Sequence, residues 1–241
     1  MRTGYTQQGM TIKVDTVMEK DVFLLDSFVG TECISDPFLF NLEMRSSNLS
    51  IDSSNLINTE VLVSVLSSDT PSRYFHGLIS SFTQVGIDQE FAYYEAEIVP
   101  KLWLLKLGST RAIYQNVSAL EIIINLLESF GIVIESRLTG TYQPREYCVQ
   151  LDESYFDFVS RLMEYEGIFY FFNFDQSGHK MVLADDPSSH KNCKNGEILS
   201  YRSNQPPREF SDTVTRFEST ASLVTQEVAF SDYNYHTPSS Q

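Results

Sequence analysis

The sequence predicts a mainly β protein with an α+β insert, and three observations carry that expectation. Apolar residues alternate with polar ones through most of the first hundred residues. After Pro100 the period changes to that of two helices with recognisable starts and stops. Strand-like composition resumes beyond Pro206-Pro207, where two prolines fix φ and remove N–H donors. The expected domains are 1–100, a β-barrel-like unit; 101–205, the α+β insert; and 206–241, the beginning of a second β-barrel unit, cut short.

In the first unit, Met10, Ile12 and Val14 alternate with polar neighbours. Phe38, Phe40, Leu42 and Met44 alternate with Leu39, Asn41, Glu43 and Arg45, the period of a strand with one buried face. Val61, Val63 and Val65, then Tyr74 to Phe82 and Phe91 to Val99, read as further strands. Gly30, Ser35-Asp36-Pro37, Ser67 to Ser72, Gly86 and Asp88 read as turns between them. Short strands at this spacing suggest a barrel or sandwich, and closure removes edges that invite aggregation. Gly77, directly after His76 within a strand, marks a bulge or a close backbone approach.

In the insert, Ser118 and Glu121 form a capping box in which each side chain satisfies an orphan backbone N–H. Leu120, Ile123, Ile124 and Leu127 follow on one helical face, and Gly131 supplies a left-handed stop. A second helix runs from about Ser154 to Glu166, with Tyr155, Phe158, Val159 and Leu162 as its apolar stripe and Gly167 closing it. Ile168 to Phe174 and Met181 to Ala184 make a hairpin about the Asp175–Gly178 turn. A loop is expected from Asp185 to Pro207, then strands at Thr213 to Glu218 and Leu223 to Phe230.

Composition narrows the function classes. The chain has 241 residues, 17 Lys plus Arg against 32 Asp plus Glu, and a formal charge of -15. Such a chain is a poor partner for nucleic acid, whose binding gains by neutralising phosphates, and for an anionic membrane surface. Cys33, Cys148 and Cys193 give no disulfide framework and no metal pair, which suits folding in a reducing cytoplasm. The first ten residues carry no apolar signal core, and no stretch is long enough to span a bilayer, so export would use another route.

Catalytic chemistry finds little support. His76, His179, His190 and His236 are scattered and show no metal-ligand spacing. Nucleophile elbows and phosphate loops are absent from the sequence. Glu164 and Glu166, two apart at a helix end, point to different sides and do not converge as a carboxylate pair would. Asp185-Asp186 reads as a surface turn, and Asp152 and Glu153 as charges favouring a helix N-terminus. No catalytic, cofactor-binding or metal-ligating residue is assigned, and an enzyme such as a cell-wall hydrolase is the remote reading.

Six stretches give the sequence a family likeness. They run Phe28 to Leu42, Arg73 to Phe82, Tyr94 to Leu105, Arg111 to Gln115, Arg145 to Gln150 and Phe158 to Phe172. In their order and spacing the chain resembles the N-terminal part of VgrG, the spike protein family of bacterial type VI secretion, and the related hub proteins of contractile phage tails. Leu151 and Tyr155 depart from the pattern, standing where an aromatic and an Asp are expected. The resemblance implies two β-barrel-like tube units flanking an α/β domain, with no enzymatic role. It implies a homotrimer whose six barrels cap a hexameric Hcp-like tube, with baseplate components and secreted effectors as partners. It also implies synthesis in the bacterial cytoplasm and secretion through the type VI apparatus. A prophage or phage tail hub is the alternative. The needle and further barrels of VgrG proteins do not lie in this sequence. Part of the acidic excess is expected to line the central channel.

Overall fold

A computed structural model describes residues 5–66, 72–191, 200–201, 213–214, 216–223, 225–227 and 229. The chain divides into two compact units, Met1–Glu197 and Ile198–Gln241.

The larger unit begins with six strands: β1 (Ile12–Asp15), β2 (Leu24–Thr31), β3 (Leu39–Ser46), β4 (Glu60–Val65), β5 (Arg73–Ile87) and β6 (Ala92–Val99). They form one antiparallel sheet in the order β1-β4-β5-β6-β3-β2. The sheet curls until its edge strands β1 and β2 approach each other, giving a nearly closed barrel. Inward residues fill it: Phe40, Leu42 and Met44 of β3 are buried, while Leu39, Asn41 and Glu43 face outward. Val61 and Val63 of β4, Tyr94, Ala96 and Ile98 of β6, and Phe38 complete the interior.

Curling has visible causes in β5, which bulges between Ile79 and Ser81 and again between Gln84 and Gly86. A bulge adds a residue to one strand and sharpens its bend. Gly77 supplies the close approach expected of it. A Cβ there would lie 2.6 Å from Ile98 Cγ2 and 2.7 Å from the Val99 carbonyl oxygen. Two glycines expected in turns lie in strands instead. Gly30 sits in β2 with a Phe40 ring carbon 2.8 Å from where its Cβ would be, so any side chain there would strike the aromatic. Gly86 serves the second bulge, which lets β5 run on to Ile87. Of the Ser67–Ser72 turn, only Ser72 falls among the described residues.

The same unit continues into the α+β layer. A 3-10 helix (Lys101–Leu107) leads to β7 (Ala112–Tyr114), β8 (Val117–Ser118) and α1 (Ala119–Ser129). Then come β9 (Ile134–Arg137), β10 (Pro144–Arg145), β11 (Cys148–Gln150), α2 (Tyr155–Glu166), β12 (Phe169–Asp175) and β13 (Gly178–Ala184). β12 and β13 form the expected hairpin, β9 joins β13 in parallel, and α1 and α2 pack over a shared core. Both helix starts are side-chain capped: Ser118 and Glu121 form the full capping box, and Ser154 Oγ accepts from the Asp157 N–H at 3.0 Å. The departures at Leu151 and Tyr155 therefore leave capping intact. Gly131 and Gly167, at φ +70 and +69, end the helices in the left-handed region. The buried face of α1 is rotated from the expected one. Ala119, Ile122, Ile123, Leu126 and Leu127 are buried, whereas Leu120 and Ile124 are half-buried. An unbroken Ile122-Ile123-Ile124 run satisfies several helical faces, and packing selects among them.

The smaller unit shows β14 (Ser200–Tyr201) paired in parallel with β15 (Thr213–Val214). β14 falls within the expected loop, and of the strand expected at Thr213 to Glu218 the described residues show only Thr213–Val214. Described residues between 216 and 229 carry no strand, where a second was expected from Leu223.

Candidate assembly surface

Three features of the larger unit bear on function: an acidic barrel face, an apolar ribbon and the seam between barrel and insert. On the outward face, β3 and β6 place Glu43 directly opposite Glu95 and Asn41 opposite Glu97. β5 adds Ser81 and Thr83 opposite Glu97 and Glu95. The three carboxylates are exposed, and among the described residues none of them joins an ion pair. Like charges directly opposite in a ladder destabilise it. The isolated barrel gains nothing from this arrangement.

The ribbon is formed by β7 and β11, which pair with Ile113 opposite Val149. Alternation turns Cys148 and Gln150 inward and leaves Tyr147, Val149 and Leu151 on the other side. Ile113, Tyr147 and Leu151 are 62%, 54% and 57% exposed. The ribbon thus shows an apolar outer face flanked by the Arg111–Asp152 pair at 2.9 Å.

At the seam, the β12–β13 hairpin closes on the barrel. Phe172 and Phe174 meet the Phe38 ring at centroid distances of 5.0 and 5.2 Å. The Ser35 N–H donates to the Tyr170 carbonyl at 2.8 Å, and Gln176 donates to the Tyr74 hydroxyl at 2.6 Å. Two histidines that lie far apart in the sequence meet here: His76 of β5 and His179 of β13 are both buried, with their Nδ1 atoms 3.1 Å apart. Burial, then the His76 and Lys101 charges, lower His179 from its ordinary value to about 4. Burial likewise lowers His76, against an opposing pull from Glu60. Spacing could not have revealed this pair, because 103 residues separate its members.

The other weighed residues have structural partners or stand exposed. Glu166 takes a 2.6 Å bond from Arg145, whose guanidinium lies over the Tyr165 ring, while Glu164 is exposed. Glu153 accepts two bonds from Arg161, fixing the approach to α2. Asp185 binds the Thr139 and Gly140 N–H groups and the Tyr142 hydroxyl. Burial raises its pKa, but those bonds outweigh burial and hold it at about 2. His190 stacks on Phe169. Cys33 is exposed and Cys148 buried; Cys193 and His236 lie outside the described residues. Among the described residues, no group of three or more His, Cys, Asp or Glu is placed to hold a metal ion, and no helix is long and apolar enough to cross a membrane. A cleft of about 640 Å³, lined by Gln7, Lys13, Asp21, Ser64, Tyr74 and Gln176 among others, is mixed polar and holds no histidine or cysteine.

Comparison with known proteins agrees with this picture. Residues 31–241 match the family model described as phage tail baseplate hub (GPD). Two type VI secretion system spike proteins of Pseudomonas aeruginosa are similar in sequence. VgrG1b is 31% identical over 96% of this chain and 31% of its own length, and VgrG1a 36% identical over 75% and 28%. The chain therefore spans about a third of the curated relatives it matches. Among solved structures, the E. coli c3393 protein, a type VI secretion component described as similar to T4 tail proteins gp27 and gp5, superposes with TM-score 0.63. It is 27% identical, over 77% of this chain and 50% of that one. A 43 kDa tail protein of prophage MuSo2 from Shewanella oneidensis shares the fold at TM-score 0.52 and 13% identity, over 80% and 57% of the two chains. The six sequence stretches, the curled six-stranded sheet with its α+β insert and these matches lead to one conclusion: the chain belongs to the phage tail baseplate hub family, among whose members it resembles the VgrG spike proteins.

Proposed function

We propose that this chain is a hub segment of a type VI secretion spike, a structural part rather than an enzyme. In this reading three copies associate, and their barrel units form a ring that caps an Hcp-like hexameric tube. Residues 206–241 begin the second barrel of each copy. Baseplate components and effectors attach to the assembled spike, which is made in the cytoplasm and leaves through the apparatus. The observation that carries the reading is the Glu43–Glu95–Glu97 face of the curled sheet, which forms no ion pair among the described residues. Like charges set side by side are costly to the fold, and they suit a channel wall that passes cargo without binding polyanions. Ring closure is also a physical requirement, since a heterologous contact that fails to close runs on as a filament. The apolar Ile113, Tyr147 and Leu151 face offers area for contact between assembled parts.

A second reading keeps the fold and places it in a phage or prophage tail; likeness to the MuSo2 tail protein favours it. Solution mass by light scattering tests the hub reading, with this chain compared to a longer one carrying the downstream sequence. The longer chain is expected at three times its protomer mass, and a monomer there would overturn the proposal.

A further inference from the structure

The buried His76–His179 pair is used by nothing in the proposed function, and its hydrogen-bond directions can be worked out. The Lys101 backbone N–H points at His179 Nε2 at 3.3 Å. A backbone N–H can only donate, so Nε2 accepts and the ring proton of neutral His179 sits on Nδ1. That proton faces His76 Nδ1 at 3.1 Å, which must therefore accept. His76 in turn carries its proton on Nε2, directed toward Glu60 Oε2 at 3.7 Å. The result is one polarised chain from the Lys101 N–H through both imidazoles, ending on a His76 Nε2–H that faces the Glu60 carboxylate beyond hydrogen-bond reach, while Glu60 holds the Lys101 ammonium at 3.1 Å.

The chain joins separate parts of the unit. Glu60 and His76 belong to barrel strands β4 and β5; Lys101 opens the 3-10 helix where the insert begins; His179 belongs to the insert hairpin. Phe38, Phe172 and Phe174 pack around His179. The charged groups acting on the pair are Glu60 from β4, Lys101 from the 3-10 helix and, more distantly, Asp175 from β12. Asp175 is itself held by Lys180 at 3.8 Å.

We propose that His76 and His179 form an acid-sensitive latch that holds the β12–β13 hairpin against the barrel and releases it when the pair takes up a proton. The two bonds are made together only when both rings are neutral. Protonating His179 puts a hydrogen on Nε2, against the Lys101 N–H. Protonating His76 puts a hydrogen on Nδ1, against the His179 N–H. Neither charge has a carboxylate in direct hydrogen-bond reach, since Glu60 stands 3.7 Å from His76 and bonds Lys101. Opening the seam returns both rings to water and to an ordinary imidazole titration near pH 6.5. Acid therefore favours the open seam. With His179 titrating near 4 when closed, its proton uptake alone multiplies the open population about twentyfold between pH 7 and pH 5. Opening the seam lifts Phe172 and Phe174 off the barrel core, while Tyr170, Met181 and Leu183 stay with the core beneath α1 and α2.

The test is hydrogen exchange by mass spectrometry on the whole chain from pH 7.5 to 4.5, corrected for intrinsic rates. Emission of Trp103, the single tryptophan, is followed in parallel, because it lies two residues from Lys101. Opening of the 169–184 hairpin is expected to rise at least about twentyfold between pH 7 and pH 5, while α1 and β3 change far less. The variant H76Q/H179Q is expected to lose that pH dependence. Should the variant fail to fold, nitrogen-15 shifts of the wild-type imidazoles decide: His179 is expected as the Nδ1–H tautomer at pH 7.5, with both rings gaining protons as the seam opens. A pH-insensitive hairpin, an unchanged response in the variant, opening while both rings stay neutral, or all segments opening together would overturn the latch.

Discussion

Replacing Gly77 by alanine tests the packing of the barrel at its tightest point. The added methyl would sit 2.6 Å from Ile98 Cγ2, 2.7 Å from the Val99 carbonyl oxygen and 3.1 Å from Phe38 Cε2. All three distances lie well inside the roughly 3.5–4.0 Å of favourable carbon contact. Ile98 and Phe38 are each 1% exposed, so neither side chain has free space to rotate into. The backbone oxygen can move only if β6 moves. Overpacking a filled core costs about 1–3 kcal/mol, and the backbone clash places Gly77→Ala near the top, at about 3 kcal/mol. For a unit of this size that lowers Tm by about 6–12 °C. Gly86→Ala on the same strand is the control: nothing lies within 4 Å of its Cβ and its φ is not left-handed. It is expected to be neutral or to stabilise by about 0.5 kcal/mol through the unfolded chain. Urea unfolding followed by Trp103 emission measures both. Equal stabilities for the two variants would refute the packing argument.

Three further outcomes follow from named contacts. Stability should depend on acid through His179, which titrates near 6.5 unfolded and about 4 folded. Above pH 6.5 both states are neutral and stability is full. As pH falls from 6.5 to 4 the unfolded chain takes the proton and the closed seam does not, so up to about 3 kcal/mol is lost relative to the closed state; urea midpoints that do not fall across that window would contradict it. Asp185→Asn should cost about 1–2 kcal/mol by weakening charge-assisted bonds to Thr139, Gly140 and Tyr142, and its proteolysis pattern should show new cleavage near Thr139–Tyr142. Ser118→Ala removes half of the α1 capping box and should cost about 1 kcal/mol in thermal unfolding, whereas an unchanged Tm would mean the box is idle.

Much of the fold was legible because its signals are local. Period-two alternation in Phe38–Met44, the Ser118–Glu121 box and the glycines closing both helices each depend on residues within one turn or strand. Gly30 and Gly86 misled because a glycine in a strand and one in a turn look alike until the close Phe40 ring or the bulge is seen. The face of α1 was ambiguous because three successive isoleucines leave the choice to tertiary packing. The acidic face was present only as net charge, since the Glu43–Glu95 pairing depends on strand register. The seam was invisible: no local rule joins His76 to His179, or Ser35 to Tyr170, across more than a hundred residues. The family likeness supplied the role, which periodicity alone could not.

The assembled spike decides the central claim. Electron cryo-microscopy of a longer chain containing this segment should show a threefold ring of six barrel-like lobes, with Glu43, Glu95 and Glu97 on its inner wall. A ring with those carboxylates on the outer rim, or particles with no threefold axis, would contradict the hub reading.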